Sequence, residues 1–233
     1  MYKLLSPSMI TSLLAISAGL LWATANTNPA KIGETTELKS AGEYQVSSET
    51  AFRLTIAPDG NTARYLVREQ LAGFDFPNDA VGETHEVSGS VGFNVDGEVV
   101  AEESSIVVNI TGLTSDRDRR DGFIQRRTLE GETYPTVELV PIQTRGLEFP
   151  LPENSTLTFD IVGYLTVRDV TEVTSWRVTA QFNDGSLTGT ARTEFTFDEF
   201  GMEKPSVGSV LSVADAIRLE LDFIMIVENL VSL

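Results

Sequence analysis

From Phe52 onward, apolar and polar side chains alternate with a period of two along most of the chain. Successive residues of a strand face opposite sides, so this spacing puts one face in a core and the other toward water. Val87, Gly89, Val91, Phe93 and Val95 alternate with Glu86, Ser88, Ser90 and Asn94, and Ile106, Val108 and Ile110 continue the pattern. Later, Leu157, Phe159, Ile161, Leu165 and Val167 face one way, while Thr156, Thr158, Asp160, Tyr164, Thr166 and Arg168 face the other. Trp176, Val178, Ala180 and Phe182 follow, then Leu187, Ala191, Phe195 and Phe197, and finally Ile217 through Val227 at every second position. Near the start, Ala63, Tyr65, Val67 and Leu71 obey the rule, whereas Leu66 and Glu69 break it. Pro58-Asp59-Gly60-Asn61, Asp96-Gly97 and Asn183-Asp184-Gly185 supply turn chemistry between the runs. Long antiparallel strands joined by short turns suit a closed barrel, which leaves no exposed edge. The fold expected is all-β, an extended antiparallel β-barrel of about eight strands with one short helix.

Composition narrows the chemistry. Acidic side chains number 34 against 17 basic ones, a net charge of −17, which argues against nucleic acid because that partner requires a basic footprint. Cysteine is absent and histidine occurs once, so disulfides, thiolate catalysis and Cys-ligated metals are excluded. At the N-terminus, Lys3 is the only charge before a 13-residue apolar run from Met9 to Leu21, and Ala23-Thr24-Ala25 follows it. That run is too short for a spanning helix, which needs about 20 apolar residues. Residues 1–25 are therefore expected to be a cleavable signal peptide, 26–50 a polar spacer and 51–233 the barrel domain, in a periplasmic or secreted protein.

Residues 115–129 do not alternate. They are dense in charge and predict a short helix over 122–128 with Asp118 or Asp121 at its N-terminal end, Phe123 and Ile124 packing onto the barrel, and most arginines in solvent. Five arginines, Arg117, Arg119, Arg120, Arg126 and Arg127, fall here. The segment fails as a calcium loop, because Arg120 and Arg127 occupy positions that need oxygen ligands. His85 beside Glu83 and Glu86 is one residue where a metal site needs three or four ligands. Adjacent Glu102-Glu103 and Asp198-Glu199 point to opposite faces of a strand, and no hydrolase triad can be assembled. Neither a metal nor an enzymatic activity is expected.

Several motifs then fall in order: Arg120-Asp121, Tyr134-Pro135, the run Gly163-Tyr164-Leu165-Thr166-Val167-Arg168-Asp169-Val170-Thr171, Arg192 with Phe195, and Phe200-Gly201-Met202. Together they resemble the YceI-like family of exported, polyisoprenoid-binding β-barrel proteins. The run 163–171 resembles the family signature G-x-L-T-[IV]-x-G-V-T, with Asp169 in place of its second Gly. The resemblance implies a lipocalin-like barrel holding a polyisoprenoid or quinone-like lipid, with no other cofactor. For partners it implies an isoprenoid-type lipid, and it leaves room for peripheral membrane contact and a homodimer.

The inward-facing residues carry two readings. Val67, Phe93, Phe159 and Ile161, with Trp176, Val178, Phe195, Leu219 and Phe223, either fill a solid core, as in a structural or adhesion module, or line an apolar tunnel for the lipid. Arg120 and Asp121, the pair in the family motif, either contact the ligand or form an ion pair holding their loop to the barrel.

Overall fold

The computed structural model describes residues 49–73, 75–205 and 210–229. The expected signal peptide, 1–25, lies outside the described residues, and so does the expected spacer apart from its last two residues. Of those two, Thr50 is already buried and donates to Glu103 at 2.9 Å, so it belongs to the barrel.

Among the described residues the strands are β1 (Phe52–Ile56), β2 (Thr62–Leu71), β3 (Asn78–Thr84), β4 (Val87–Phe93), β5 (Val99–Asn109) and β6 (Thr114–Ser115). They continue as β7 (Thr136–Arg145), β8 (Ser155–Val167), β9 (Val170–Asn183), β10 (Ser186–Thr196) and β11 (Val210–Asn229). Helix α1 (Asp118–Phe123) runs into a single π turn, Ile124–Thr128. The helix therefore starts four residues before the expected Gly122, with Arg117 at its N-cap and no side-chain cap bond. Asp121 is drawn away from capping because its carboxylate accepts both the amide and the hydroxyl of Ser115, at 3.0 and 2.5 Å.

Neighbouring strands are antiparallel throughout, and the order β1-β4-β5-β7-β8-β9-β10-β11 returns to β1. The extra strands do not widen this ring. β1 pairs with β11 from Phe52↔Asn229 to Ile56↔Met225, and β2 continues along the same edge from Thr62↔Asp222 to Leu71↔Val210. They form one barrel strand interrupted at 57–61. In the same way β3 and β4 form one strand interrupted at His85 and Glu86, and β5 and β6 one interrupted at 110–113. The result is the closed eight-stranded antiparallel barrel that the alternation predicts.

One turn expectation needs correction. Pro58-Asp59-Gly60-Asn61 does not reverse the chain; it bulges outward while the strand continues along β11. Asn61 makes this affordable, since its fully buried side chain donates to the Ala57 carbonyl at 2.7 Å and accepts the Ile224 amide at 2.9 Å. A side chain thus substitutes for the ladder partner that the bulge removes. The Asp184-Gly185 pair does turn the chain, with φ of 49° and 73°, the two left-handed residues of a type I′ hairpin.

Outside the barrel, Arg64 ties three strands together, meeting Glu83 on β3 at 3.0 Å and Asp222 on β11. Burial alone would raise the Asp222 carboxyl, but the Thr190 hydroxyl at 2.7 Å and the Arg64 guanidinium hold it below the usual carboxylate range.

Two outcomes follow from this architecture. Asn61→Ala leaves the Ala57 carbonyl and Ile224 amide without their partner and should cost about 1–3 kcal/mol, read as a lower urea midpoint. Because the folded carboxyl of Asp222 is depressed, its stabilisation is complete above the unfolded value of about 3.9 and is lost as pH falls through the folded value. Asp222→Asn should therefore flatten the loss of stability below about pH 4, measured by urea titration across the acid range.

Candidate functional site

The barrel is not solid. A cavity of about 900 Å³ follows its axis, at the upper end of the usual range for ligand pockets. Its wall is mainly aliphatic and aromatic. Val67, Phe93, Phe159 and Ile161 line it, as do Trp176, Phe195, Leu219 and Phe223. The Trp176 indole N–H is satisfied within the wall by Thr174 at 3.0 Å, so it presents an apolar body to the interior.

Val178 is the exception among the expected apolar residues. It is fully buried yet does not reach the cavity. It lies opposite Phe159 in the ladder and two residues beyond Trp176, and both of those larger rings line the cavity. Asp121 is likewise absent from the lining, being engaged with Ser115.

The two ends of the cavity differ. At one end Phe93 is backed by Phe52, stacked on it at 4.9 Å, and by Phe149 at 5.1 Å. Phe149 also meets Phe52 at 4.7 Å, so three rings pack against one another at that end. At the other end α1 lies across the opening. Phe123 and Ile124, expected to pack onto the barrel, line the cavity from this segment, and the exposed members of the lining are Arg117, Asp118 and Arg119. Arg126 and Arg127 are exposed, whereas Arg120 is not.

Arg120 fastens α1 to the barrel. Its guanidinium reaches Glu69 on β2 at 2.5 Å and also meets Asp116, and the Arg120 and Glu69 side chains are 12% and 8% exposed. Both also line the cavity. Glu69 was legible as a break in the alternation of β2, since it occupies an inward position between Val67 and Leu71. Tyr65, on the same face, has its hydroxyl pushed up to about 12, chiefly by burial and against the opposing pull of Arg120, so it stays a neutral hydrogen-bonding group. Thr128, at the end of the π turn, was not singled out by sequence; it is buried, lines the cavity, and its hydroxyl has no hydrogen-bond partner among the described residues.

His85 lies on the outside, exposed, with Nδ1 3.1 Å from both the Thr62 hydroxyl and the Asn61 carbonyl. Among the described residues no group of three or more His, Asp or Glu side chains is arranged to hold a metal ion.

Comparison with known proteins points the same way as the geometry. The family model for the YceI-like domain matches residues 54–225. Among solved structures, a polyisoprenoid binding domain from Saccharophagus degradans, described as implicated in plant cell wall breakdown, superposes with a TM-score of 0.58. It is 11% identical, and the match covers 77% of this chain and all of that one. BcnA from Burkholderia cenocepacia superposes with a TM-score of 0.50 at 14% identity, covering 72% of this chain and 96% of that one. No curated protein matches the sequence.

The Glu69–Arg120 pair generates a direct test. Removing one partner of a buried ion pair strands the other charge, at a cost of about 3–5 kcal/mol. Glu69→Leu should fall near the low end of that range because Asp116 still meets Arg120. In chemical denaturation, the double change Glu69→Leu, Arg120→Leu should cost less than the sum of the two single changes.

Proposed function

The chain belongs to the YceI-like family, and on that premise we propose that it binds a polyisoprenoid or a similar long apolar lipid inside the barrel, as a carrier or sequestering protein outside the cytoplasm. The observation that carries this reading is the cavity of about 900 Å³ running between α1 and the phenylalanine cluster. A linear chain gains about 0.8 kcal/mol for each CH₂ it buries and needs no polar partner along its length. The long axis and apolar wall fit such a chain better than a compact polar metabolite. The polyisoprenoid description of the Saccharophagus domain supports the same ligand class.

In this reading residues 1–25 direct export and are removed after Ala25, the residues between Ala25 and Thr50 form a polar spacer, and the protein works without catalysis. The apolar run from Met9 to Leu21 before Ala23-Thr24-Ala25 supports the export step. Peripheral contact with a membrane would let the lipid pass between bilayer and barrel, and a homodimer is compatible with the same role.

The test is organic extraction of protein purified from the cells that make it, with mass spectrometry of the extract. A long-chain isoprenoid lipid should appear in it. Ala191, which lines the cavity, provides the second arm. In a packed core Ala191→Phe would overfill its site and cost about 1–3 kcal/mol. Here it should leave the melting temperature nearly unchanged and reduce the recovered lipid. A large loss of stability, with no lipid from the unaltered protein, would favour a ligand-free structural module.

A further inference from the structure

Much of the barrel's outer wall is laced with charge, as in the pairs Arg53–Glu103, Arg64–Glu83, Arg192–Glu220 and Arg218–Asp79. On β7, β8 and β9 two adjacent rows of the ladder carry none. One is Val140, Tyr164 and Val173, directly opposite one another and therefore side by side on one face. The other, two residues along β8, is Gln143, Val162 and Ser175. None of the four apolar residues in these rows packs in the central hydrophobic cluster or lines the cavity. Tyr164 is 46% exposed and Val173 60%.

Two charges on β7 frame the patch. Glu138 and Arg145 form no ion pair among the described residues; Glu138 accepts from the Ser105 hydroxyl at 2.6 Å, and Arg145 donates to the Gln143 side chain at 3.2 Å. Their partners on β8 are Thr166 and Asp160, each three residues from Gly163. Acid and base therefore stand equally far from the Gly163 row, on opposite sides of it, with the apolar residues between them.

Such a face is complementary to itself. A two-fold axis running across the strands at Gly163, parallel to the wall, lays a second copy on the first with β7 over β7 in reverse direction. Glu138 of each copy then meets Arg145 of the partner subunit, and the Tyr164 row of each lies on the Val162 row of the other. An isologous contact requires a patch that matches itself in this way, and tyrosine suits it because a large apolar ring ends in a polar tip.

We propose that the chain forms a two-fold dimer through the outer face of β7, β8 and β9, with these apolar rows at its centre and a Glu138–Arg145 ion pair at each end. The face is on the side wall, apart from the rim covered by α1, so the proposal goes beyond the ligand reading and does not depend on it. Three strands span only about 14 Å at the usual spacing. An interface of that size belongs to the weak, reversible class, with dissociation in the micromolar range.

Sedimentation velocity on the purified protein, from about 1 to 500 μM, tests the assignment. The unaltered protein should pass from monomer to dimer within that range. Glu138→Arg and Arg145→Glu should each weaken self-association about tenfold or more, because each sets like charges together at both ends. Mixed in equal amounts, the two single variants should pair with each other, since acid again meets base across the axis. The double variant Glu138→Arg, Arg145→Glu should return to within about threefold of the unaltered affinity. Val173→Asp, at an exposed position, should abolish pairing, with melting curves confirming that every variant is folded. A monomer at all concentrations, a dimer that none of these changes weakens, or single variants that fail to pair with each other would overturn the proposed face, and each of these outcomes leaves the lipid reading intact.

Discussion

Everything in this molecule depends on β11 having a partner along both edges. Its 20 residues pair with β10 on one side and with β1 and β2 in succession on the other. That joins the two ends of the meander, satisfies backbone groups that an open sheet would expose, and fixes the circumference at eight strands. Eight strands enclose an interior that side chains can either fill or leave open. Alanines at inward positions, among them Ala63, Ala80 and Ala191, leave it open. Cavity and closure are thus one fact: the ladder sets the wall, and the volume of inward side chains sets what remains inside.

The ladder alone would give a cylinder open at two similar ends. Local departures from regularity make the ends unlike. Three adjacent barrel strands are interrupted, at 57–61, at His85 and Glu86, and at 110–113, and the chain leaves the last of them to form α1 over the opening. Arg120 holds that segment by reaching an inward carboxylate of β2. At the opposite end the loop after β7 returns Phe149 to Phe52 and Phe93. Polar fastening at one end and aromatic packing at the other suit their surroundings: the buried Arg120–Glu69 pair is completed by the exposed Asp116, and ring stacking needs no polar partner.

Much of this was legible in the residues. Period-two alternation from Phe52 to Val227 specified strands and their inward faces, and Asp184-Gly185 specified a hairpin because only certain residues tolerate two successive positive φ angles. What escaped the sequence was whatever depends on a distant partner. Pro58-Asp59-Gly60 looks like a reversal locally; only Asn61 reaching Ile224, far along the chain, shows it to be a bulge. Asp121 looks like a helix cap until Ser115 claims it. Val178 has the right face and periodicity, but periodicity reports direction and not depth, and it is fully buried without lining the cavity. Glu69 shows the converse, a visible violation of the pattern whose cause, Arg120, lies 51 positions away.

The three-ring cluster at Phe52, Phe93 and Phe149 has a kinetic meaning as well as a structural one. The rings pack together at that end, and α1 with its polar neighbours forms the rim at the other. Under the carrier reading proposed above, a lipid would enter and leave at that one rim, and donor and recipient would use it in turn.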